Sequence, residues 1–457
     1  MLTVLRDPVY GRLFTAQVLS LLGTGLTTVA LALLAHDLAG ADAGVVLGTA
    51  LTLKMVAYVG VAPLASVLIV RLPRQKLLVG LDLYRAALVA LLPFVDQVWQ
   101  IYVLVFLFQA GSAAFTPTFQ GTIPDVLPDE ARYTQALSLS RLAYDLESLL
   151  SPLVAGLLLL VLEFHWLFVG TGLGFVASAA LILVVTLPTI PSTDLPQPFI
   201  RRLGKGLRIY LATPRLRGLW AASFAVACVG AAVIVNSVVY AHQVLGGGDA
   251  TYTLLLMAYG GGSMAVALAL PPLLHRVALR TAVLGGIGVL AVAGGAVAVS
   301  PRWPEALGLW CLMGAGNALV LTPAGLLLRR SAHPDDRVAL FAAQFALSHA
   351  CWLLTYPAAG WLGASVGLGP TFALLALGAA VGGLLTARLW PGFDPWVLEH
   401  QHLAHHHHHP HIHDEHHQHA HEGWEGPEPH SHPHHHPPLR HRHPFVIDDH
   451  HGAWPRG

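Results

Sequence analysis

Charge is what this sequence has least of. Asp, Glu, Lys and Arg make up 11% of its 457 residues and hydrophobic residues 54%, whereas soluble domains carry roughly 25% charged residues. That scarcity excludes an ordinary water-facing surface. Cysteine is nearly absent as well: Cys228, Cys311 and Cys351 sit inside apolar runs without metal-finger spacing. No disulfide framework or zinc module is expected from them, and each reads as a small core residue. No phosphate-cradling loop of the nucleotide-binding kind occurs. ATP-driven pumping is therefore not expected, and the proton gradient remains as the default energy source. The chain reads as a carrier, not an enzyme, with no resident cofactor. Only Met1 to Arg12 precede the first apolar run, and no small-residue cleavage site follows, so the first span is expected to be an uncleaved anchor.

What the sequence has in abundance is apolar runs of membrane length. Runs of 18 or more residues, each sufficient for a hydrocarbon core of ~30 Å, place twelve spans at 13–35, 43–70, 75–95, 98–121, 134–162, 166–188, 218–243, 251–274, 279–300, 304–328, 337–365 and 369–390. The expectation is an all-α membrane protein. Arg6, Arg12, Arg71, Arg74, Lys76, Arg132, Arg276, Arg280, Arg329, Arg330 and Arg337 all fall on one side of this arrangement, and only Arg302 on the other. By the positive-inside rule both termini are cytoplasmic, in a multi-pass protein of the cell inner membrane. Residues 189–217 break the apolar pattern with prolines and then carry Arg201, Arg202, Lys205, Arg208, Arg215 and Arg217. Beside a membrane such a run reads as a cytosolic linker touching anionic lipid, not as a nucleic-acid patch. The domain reading is 1–188 and 218–390 as six-helix halves, 189–217 as the linker, and 391–457 as a tail.

The halves repeat. Thr116-Pro117 recurs as Thr322-Pro323, and Pro128-Asp129-Glu130 as Pro334-Asp335-Asp336, each 206 residues later. Parallel six-helix repeats joined by a cytosolic loop are the architecture of one large class of secondary transporters.

On these residues the chain resembles the major facilitator superfamily over roughly 5–390. The loop after the second span, APLASVLIVRLPRQKLL, is followed by Asp82 and Arg85. The resemblance implies that Arg71 and Arg74, with Asp82 and Arg85, latch a cytosolic gate. Val70 and His275 stand where the family pattern has an aspartate, so the gate network is expected to be altered. The resemblance also implies that spans one, four, seven and ten line a central cavity, where Gln17, Ser20, Thr24 and Thr27, then Gln109, Ser112 and Thr116, then Asn236 are polar.

Ionisable groups at bilayer depth cost about 2.5 to 3.5 kcal/mol each on insertion scales and so call for a partner or a function. The fifth span holds Arg141, Asp145 and Glu147. Arg141 and Asp145, four apart, suit an intrahelical ion pair. Glu147 points about 160° away from Arg141 and is the candidate cation ligand or proton carrier. In the eleventh span His349 and Cys351 lie on opposite faces, and either one across from a carboxylate would suit a borderline metal. Lys54, deep in the second span, reads as snorkelling or pairing within the bundle.

The tail carries 22 of the chain's 28 histidines. They cluster as His405, His406, His407, His408, His409, His411, His413, His416 and His417, then as His434, His435 and His436. With few apolar residues the tail is expected to be disordered without metal. Imidazoles with a reference pKa of about 6.5 are mostly neutral at cytosolic pH and ready to ligate, and imidazole with carboxylate favours Ni²⁺, Co²⁺, Zn²⁺ or Cu²⁺ over Cu⁺. In composition this tail resembles the nickel-resistance exporters of the NreB and NrsD type. The leading expectation is thus a proton-coupled efflux transporter of divalent cations, nickel first, with cobalt or zinc possible cargo; its partners are metal ions, protons and lipid. A drug or siderophore exporter with an incidental metal-buffering tail is the competing reading. A membrane-anchored metal store is disfavoured, since one anchor would suffice for it.

Overall fold

The computed structural model describes residues 2–39, 43–68, 72–188, 199–247, 249–274, 276–299, 302–395, 397–402, 405–411, 430–436, 439–447, 451 and 454. The first half comprises α1 (Pro8–Ala39), α2 (Ala43–Leu68), α3 (Arg74–Leu91), α4 (Val98–Val126), α5 (Glu130–Leu159) and α6 (His165–Leu183). After α7 (Phe199–Ala212), the second half comprises α8 (Pro214–Val239), α9 (Asp249–Leu274), α10 (Leu279–Ala296), α11 (Trp303–Leu321), α12 (Ala324–Arg329), α13 (Arg337–Val366) and α14 (Leu368–Leu389). Every expected span has its helix. Local chemistry sets several ends. Asp129 caps α5 by accepting a hydrogen bond from the Arg132 amide at 2.8 Å, and Gln97 with Gln100 forms a capping box on α4. Gly367, at φ 88°, supplies the left-handed turn that separates α13 from α14.

By length and composition, eleven helices among the described residues are long and apolar enough to cross a membrane. α5 is not one of them. It carries Glu130, Arg132, Arg141, Asp145 and Glu147, yet its 30 residues pack between α1 and α9 within the bundle. The outer surface is apolar: Leu173, Val292 and Leu384 are 65%, 74% and 64% exposed. Exposed apolar surface on this scale marks lipid contact, and the chain is a multi-pass membrane protein.

The halves pack mainly within themselves. α1 and α3 lie on α6 and α2 on α4; α8 lies on α14, and α10 on α11 and α14. Three main contacts join them, α2 on α13, α5 on α9 and α4 on α13. This is the major facilitator arrangement of two six-helix halves.

Three features depart from the sequence expectation. The linker contains a helix, α7, because Phe199, Ile200, Leu203, Leu207 and Tyr210 recur at helical spacing between its basic residues. The tenth span is split into α11 and α12 at Thr322-Pro323, where proline supplies no amide to the helix ladder. In the tail, where no order is expected, β1 (Val397–His402) pairs with β4 (Leu439–Pro444), and β2 (His405–His411) with β3 (His430–His436), both antiparallel. These ladders are joined by backbone groups, which a count of apolar side chains does not weigh. Beyond β4, Phe445 and Ile447 enter the core of the second half together with Leu219 and Trp390.

Candidate transport site and gate

Midway along the bundle, side chains from both halves meet across the α2–α13 crossing. Tyr58 of α2 donates its hydroxyl to Gln109 Oε1 of α4 at 2.9 Å. Its ring lies 4.8 Å from that of Phe345 and 4.8 Å, edge-on, from that of His349, both of α13. His349 also lies against Phe345 at 4.2 Å, and its Nδ1 is 2.7 Å from the Phe345 carbonyl oxygen. Lys54 Nζ sits 5.5 Å from the Tyr58 ring centroid, within electrostatic reach of both Glu147 and His349. Glu147 faces α1: a Cβ on Gly25 would lie 2.9 Å from its Oε1. One ammonium, one imidazole, an amide and two aromatic rings thus meet at the interface between the halves, and the Glu147 carboxylate acts on the ammonium from the α1 side. The rings offer apolar faces to an organic body, and the charged pair offers a place for a proton or counter-charge.

The α5–α9 crossing is built differently. Arg141 pairs with Asp145 at 2.6 Å, and its Nε reaches across to Ser263 Oγ of α9 at 3.0 Å. The arrangement neutralises both charges within one helix and uses the remaining donor to register the opposite half.

At the end of the bundle that carries α7, ion pairs close the halves together. Asp125, at the end of α4, is shared by Arg74 of its own half and Arg337 of the other. Glu130 at the start of α5 holds Arg330, with Nε to Oε2 at 3.0 Å. Arg329 donates to the Pro128 carbonyl and stacks 5.3 Å from the Tyr133 ring, and the Tyr133 hydroxyl donates to the Gly325 carbonyl at 3.2 Å. From the linker, Lys205 binds Asp336 at 2.7 Å. Leu326 of the second half enters the apolar cluster of the first at this end. At the opposite end, the cluster running from Leu26 to Phe175 draws on the first half alone. The two halves are closed together at the linker end.

The residues singled out from sequence separate into groups. Arg141 and Asp145 form the expected pair. Glu147, Gln109 and His349 come to the interface, and Arg74 is in the gate. Asp82 and Arg85 are not in the gate; they pair inside the first half. There Asp82 accepts from Ser178 at 2.7 Å, and Arg85 lies between Phe115 and Phe175 at 4.2 and 4.4 Å. Burial on both sides of α3 explains the difference, since an ion pair this deep serves to hold helices. Cys351 faces away from His349 into the second half, with Sγ 3.4 Å from the Leu347 carbonyl. Asn236 donates to the Ala359 carbonyl at 3.1 Å and so pins α8 to α13 instead of lining a path. Gln17 accepts from Ser140 at 3.1 Å, and Thr27 donates to Thr171 at 3.1 Å, both packing contacts. Arg71, Val70, His275, His413, His416 and His417 lie outside the described residues, as do most tail side chains. Among the described residues no group of three or more His, Cys, Asp and Glu is placed to hold a metal ion.

Sequence reasoning missed Asp125, Tyr58 and the weight of Lys54. Asp125 does have a signal: it stands at the end of α4, three residues before the repeated Pro-Asp-acidic motif. Tyr58 has none, because an aromatic residue in an apolar span is indistinguishable from core.

Two halves, a linker helix, ion pairs closing one end and a polar cluster at mid-depth set the chain beside one large family of membrane proteins. The chain matches the Major Facilitator Superfamily over residues 13–301, and it belongs to that family. Among curated proteins it is similar to Macrolide efflux protein A of Enterococcus faecalis, 28% identical over 175 residues, 36% of this chain and 54% of that one. It is similar to the Streptococcus pyogenes protein of the same name at 28% over 35% of this chain and 43% of that one. The chain thus spans about half the length of the curated relatives it matches. Among solved structures, a human organic anion transporter aligns at 15% identity with a TM-score of 0.71, covering 83% of this chain and 99% of that one. A bacterial homologue of the iron transporter ferroportin, in an outward-facing state, aligns at 13% with a TM-score of 0.69, covering 83% and 99%. At these identities the structural likeness establishes the fold alone.

Proposed function

We propose that this chain is a proton-coupled efflux transporter of small amphipathic organic molecules, with its linker end and both termini in the cytoplasm of a cell whose inner membrane it spans. The observation that carries the reading is the mid-depth cluster of the Tyr58, Phe345 and His349 rings with Lys54 and Gln109, with Glu147 within electrostatic reach of Lys54. Ring faces suit an apolar body, while the amide and the charged pair suit a few polar groups. The relatives named for macrolide efflux favour such cargo over a bare ion, and the bundle places no multidentate metal group among its described residues.

In this reading Glu147 alternates between a proton and its Lys54 counter-charge. Ionised, it is balanced by Lys54 and holds polar groups of the cargo. A proton arriving from outside removes that charge, weakens the cargo's hold and leaves Lys54 to the remaining acceptors. When the gate ion pairs part and the linker end opens, the proton is released inward. Transport into everted vesicles, with an imposed proton gradient and a macrolide as cargo, is the test. Transport that ignores the gradient, or no macrolide transport at all, would count against this reading.

The histidine-rich tail favours a second reading, efflux of Ni²⁺, Co²⁺ or Zn²⁺, with the tail gathering ions at the cytoplasmic mouth. The same vesicles, supplied with each ion in turn, separate the two. Calorimetry of the full chain with Ni²⁺ should show binding heat at neutral pH that is lost below about pH 6, where imidazoles of reference pKa near 6.5 protonate.

A further inference from the structure

The last part of the chain does not hang free. Phe445, Val446 and Ile447 are buried against the linker end of the second half, and His451 with them. Trp454 packs on the same core, 5.1 Å from the Phe445 ring. The seat is built around Arg215, at the start of α8, which is only 2% exposed. A guanidinium so buried needs acceptors on every side. Its Nε donates to Ser331 Oγ at 2.9 Å, and Nη2 to the Arg330 carbonyl at 3.0 Å and the Phe445 carbonyl at 3.5 Å. Nη1 meets Asp394 at 3.5 Å, and the Trp454 ring lies 5.0 Å from the guanidinium carbon. Asp394 itself accepts from Trp390 Nε1 at 2.8 Å.

Arg215 therefore touches both the tail and the backbone of Arg330, whose side chain crosses to Glu130 in the first half. One buried cation connects the docked segment to a gate residue. The ladder between β1 and β4 sets Val397 opposite Pro444 and His402 opposite Leu439, so both ends of the histidine tract are held at this place. The tract between these paired strands, residues 403–438, carries 16 of the chain's histidines.

We propose that residues 439–447, with Trp454, are an intramolecular clasp that docks on Arg215 and braces the linker-end gate, and that divalent cations bridging the opposed histidines of β2 and β3 tighten it. The second part follows from register. β2 and β3 set His405 opposite His436, His407 opposite His434, His409 opposite His432 and His411 opposite His430, and directly opposed positions of any antiparallel ladder lie roughly 5 Å apart. A cation bridging the two strands binds the paired state and not the parted one. By linkage it stabilises the docked state, and it offsets the entropy of closing a long loop. The proposal does not depend on what the carrier moves.

The test is hydrogen exchange on the full chain in lipid nanodiscs, reading 445–447 and the gate segment 326–337, with exchange in α8 as the control for folding. In the wild type 445–447 should be protected at least about tenfold over a free peptide, and Zn²⁺ should slow their exchange further. Phe445→Asp should release 445–447 and raise exchange in 326–337, Trp454→Ala should act in the same direction more weakly, and Phe445→Leu should resemble the wild type. Free exchange at 445–447 in the wild type would overturn the clasp. So would a Phe445→Asp or Trp454→Ala chain, folded by the α8 control, that loses docking while the gate exchange stays unchanged. Zn²⁺ that leaves 445–447 unaltered would overturn the role of the cation.

Discussion

Two of the places where the halves meet, the linker end and the α2–α13 crossing, use opposite chemistry. At the linker end the contacts are ion pairs at a water-accessible rim: Asp125 shared between Arg74 and Arg337, Glu130 with Arg330, Lys205 with Asp336. At mid-depth they are rings, one amide and a single pair of opposite charges. Pairs at this end range from buried to one-third exposed, so each costs more to part than the ~0 to 1 kcal/mol of an exposed pair and less than a fully buried one. Water entering on opening can take each partner's place. Charges at mid-depth have no such substitute, since water there is displaced by lipid and protein. The rim is thus suited to opening and closing, and the middle to sensing charge. Changes in the middle should stop transport, and changes at the rim should shift conformation.

The largest effect is expected at Glu147. Glu147→Gln keeps size and hydrogen bonding and removes the charge, so the protein should insert normally and exchange neither proton nor cargo. Gradient-driven transport into everted vesicles should fall to background, and cargo binding in detergent should weaken and no longer depend on pH. Wild-type rates in this variant would dismiss Glu147 and place the coupling elsewhere.

Next comes the α5–α9 crossing, where the expected loss is of protein and not of coupling. Asp145→Asn leaves Arg141 with only Ser263 across the interface, and breaking a buried pair costs about 3 to 5 kcal/mol. The fraction of monodisperse protein recovered after extraction should drop sharply. The remaining folded protein should still couple to the gradient, unlike Glu147→Gln. Full recovery would mean that the pair is solvated.

The contrast between rim and middle also explains what could be read from the sequence. Twelve spans were legible because apolar runs of membrane length have one physical explanation, and the Arg141–Asp145 pair because four residues make one helical turn. The 206-residue repeat revealed two halves. Glu147 was legible as a charge pointing away from Arg141 on its helix. The electrostatic reach of Lys54 to it was not, because which charges on separate helices come near each other is a tertiary fact. Asp82 and Arg85 were legible as a pair and misplaced as gate residues, since family position does not reveal that Phe115 and Phe175 enclose them. Docking of Phe445 and Ile447 was hidden by the histidines before them, whose composition dominates any reading of the tail.

At the rim, Asp125→Asn should open the linker end without stopping transport. The substitution leaves Arg74 and Arg337 facing each other without the carboxylate they share. The pair is half-buried, so the expected shift lies between exposed and buried cases, about 2 kcal/mol or roughly thirtyfold in the ratio of closed to open. A cysteine introduced at Thr122, 1% exposed in the closed state, reports this. In a background lacking the three native cysteines, a water-soluble thiol reagent should label it faster in Asp125→Asn. Equal labelling would mean that the remaining contacts, Glu130 with Arg330 and Tyr133 with Gly325, suffice to hold the gate.

The smallest effect is expected at Asp7, just before α1, whose contacts stay within one half. Its carboxylate accepts from the amides of Val9 and Tyr10 at 3.1 and 3.0 Å, and from Arg132 at 2.9 Å. Partial burial alone would raise its pKa; the Tyr10 amide, the Arg132 guanidinium and the Val9 amide outweigh it and hold the pKa below its ordinary value of 3.8. A carboxylate with a depressed folded pKa contributes stability above its unfolded pKa and loses it as pH falls through the folded one. Asp7→Asn should therefore lower thermal stability slightly at pH 7, by under about 1 kcal/mol for so exposed a pair. The difference from wild type should persist to pH 5 and shrink only below 3.8. Gate labelling at Thr122 should not change, because Asp7 and Arg132 both belong to the first half. If Asp7→Asn moved the gate as Asp125→Asn does, the rim would be one continuous charge network, and the separation of gate pairs from capping pairs would fail.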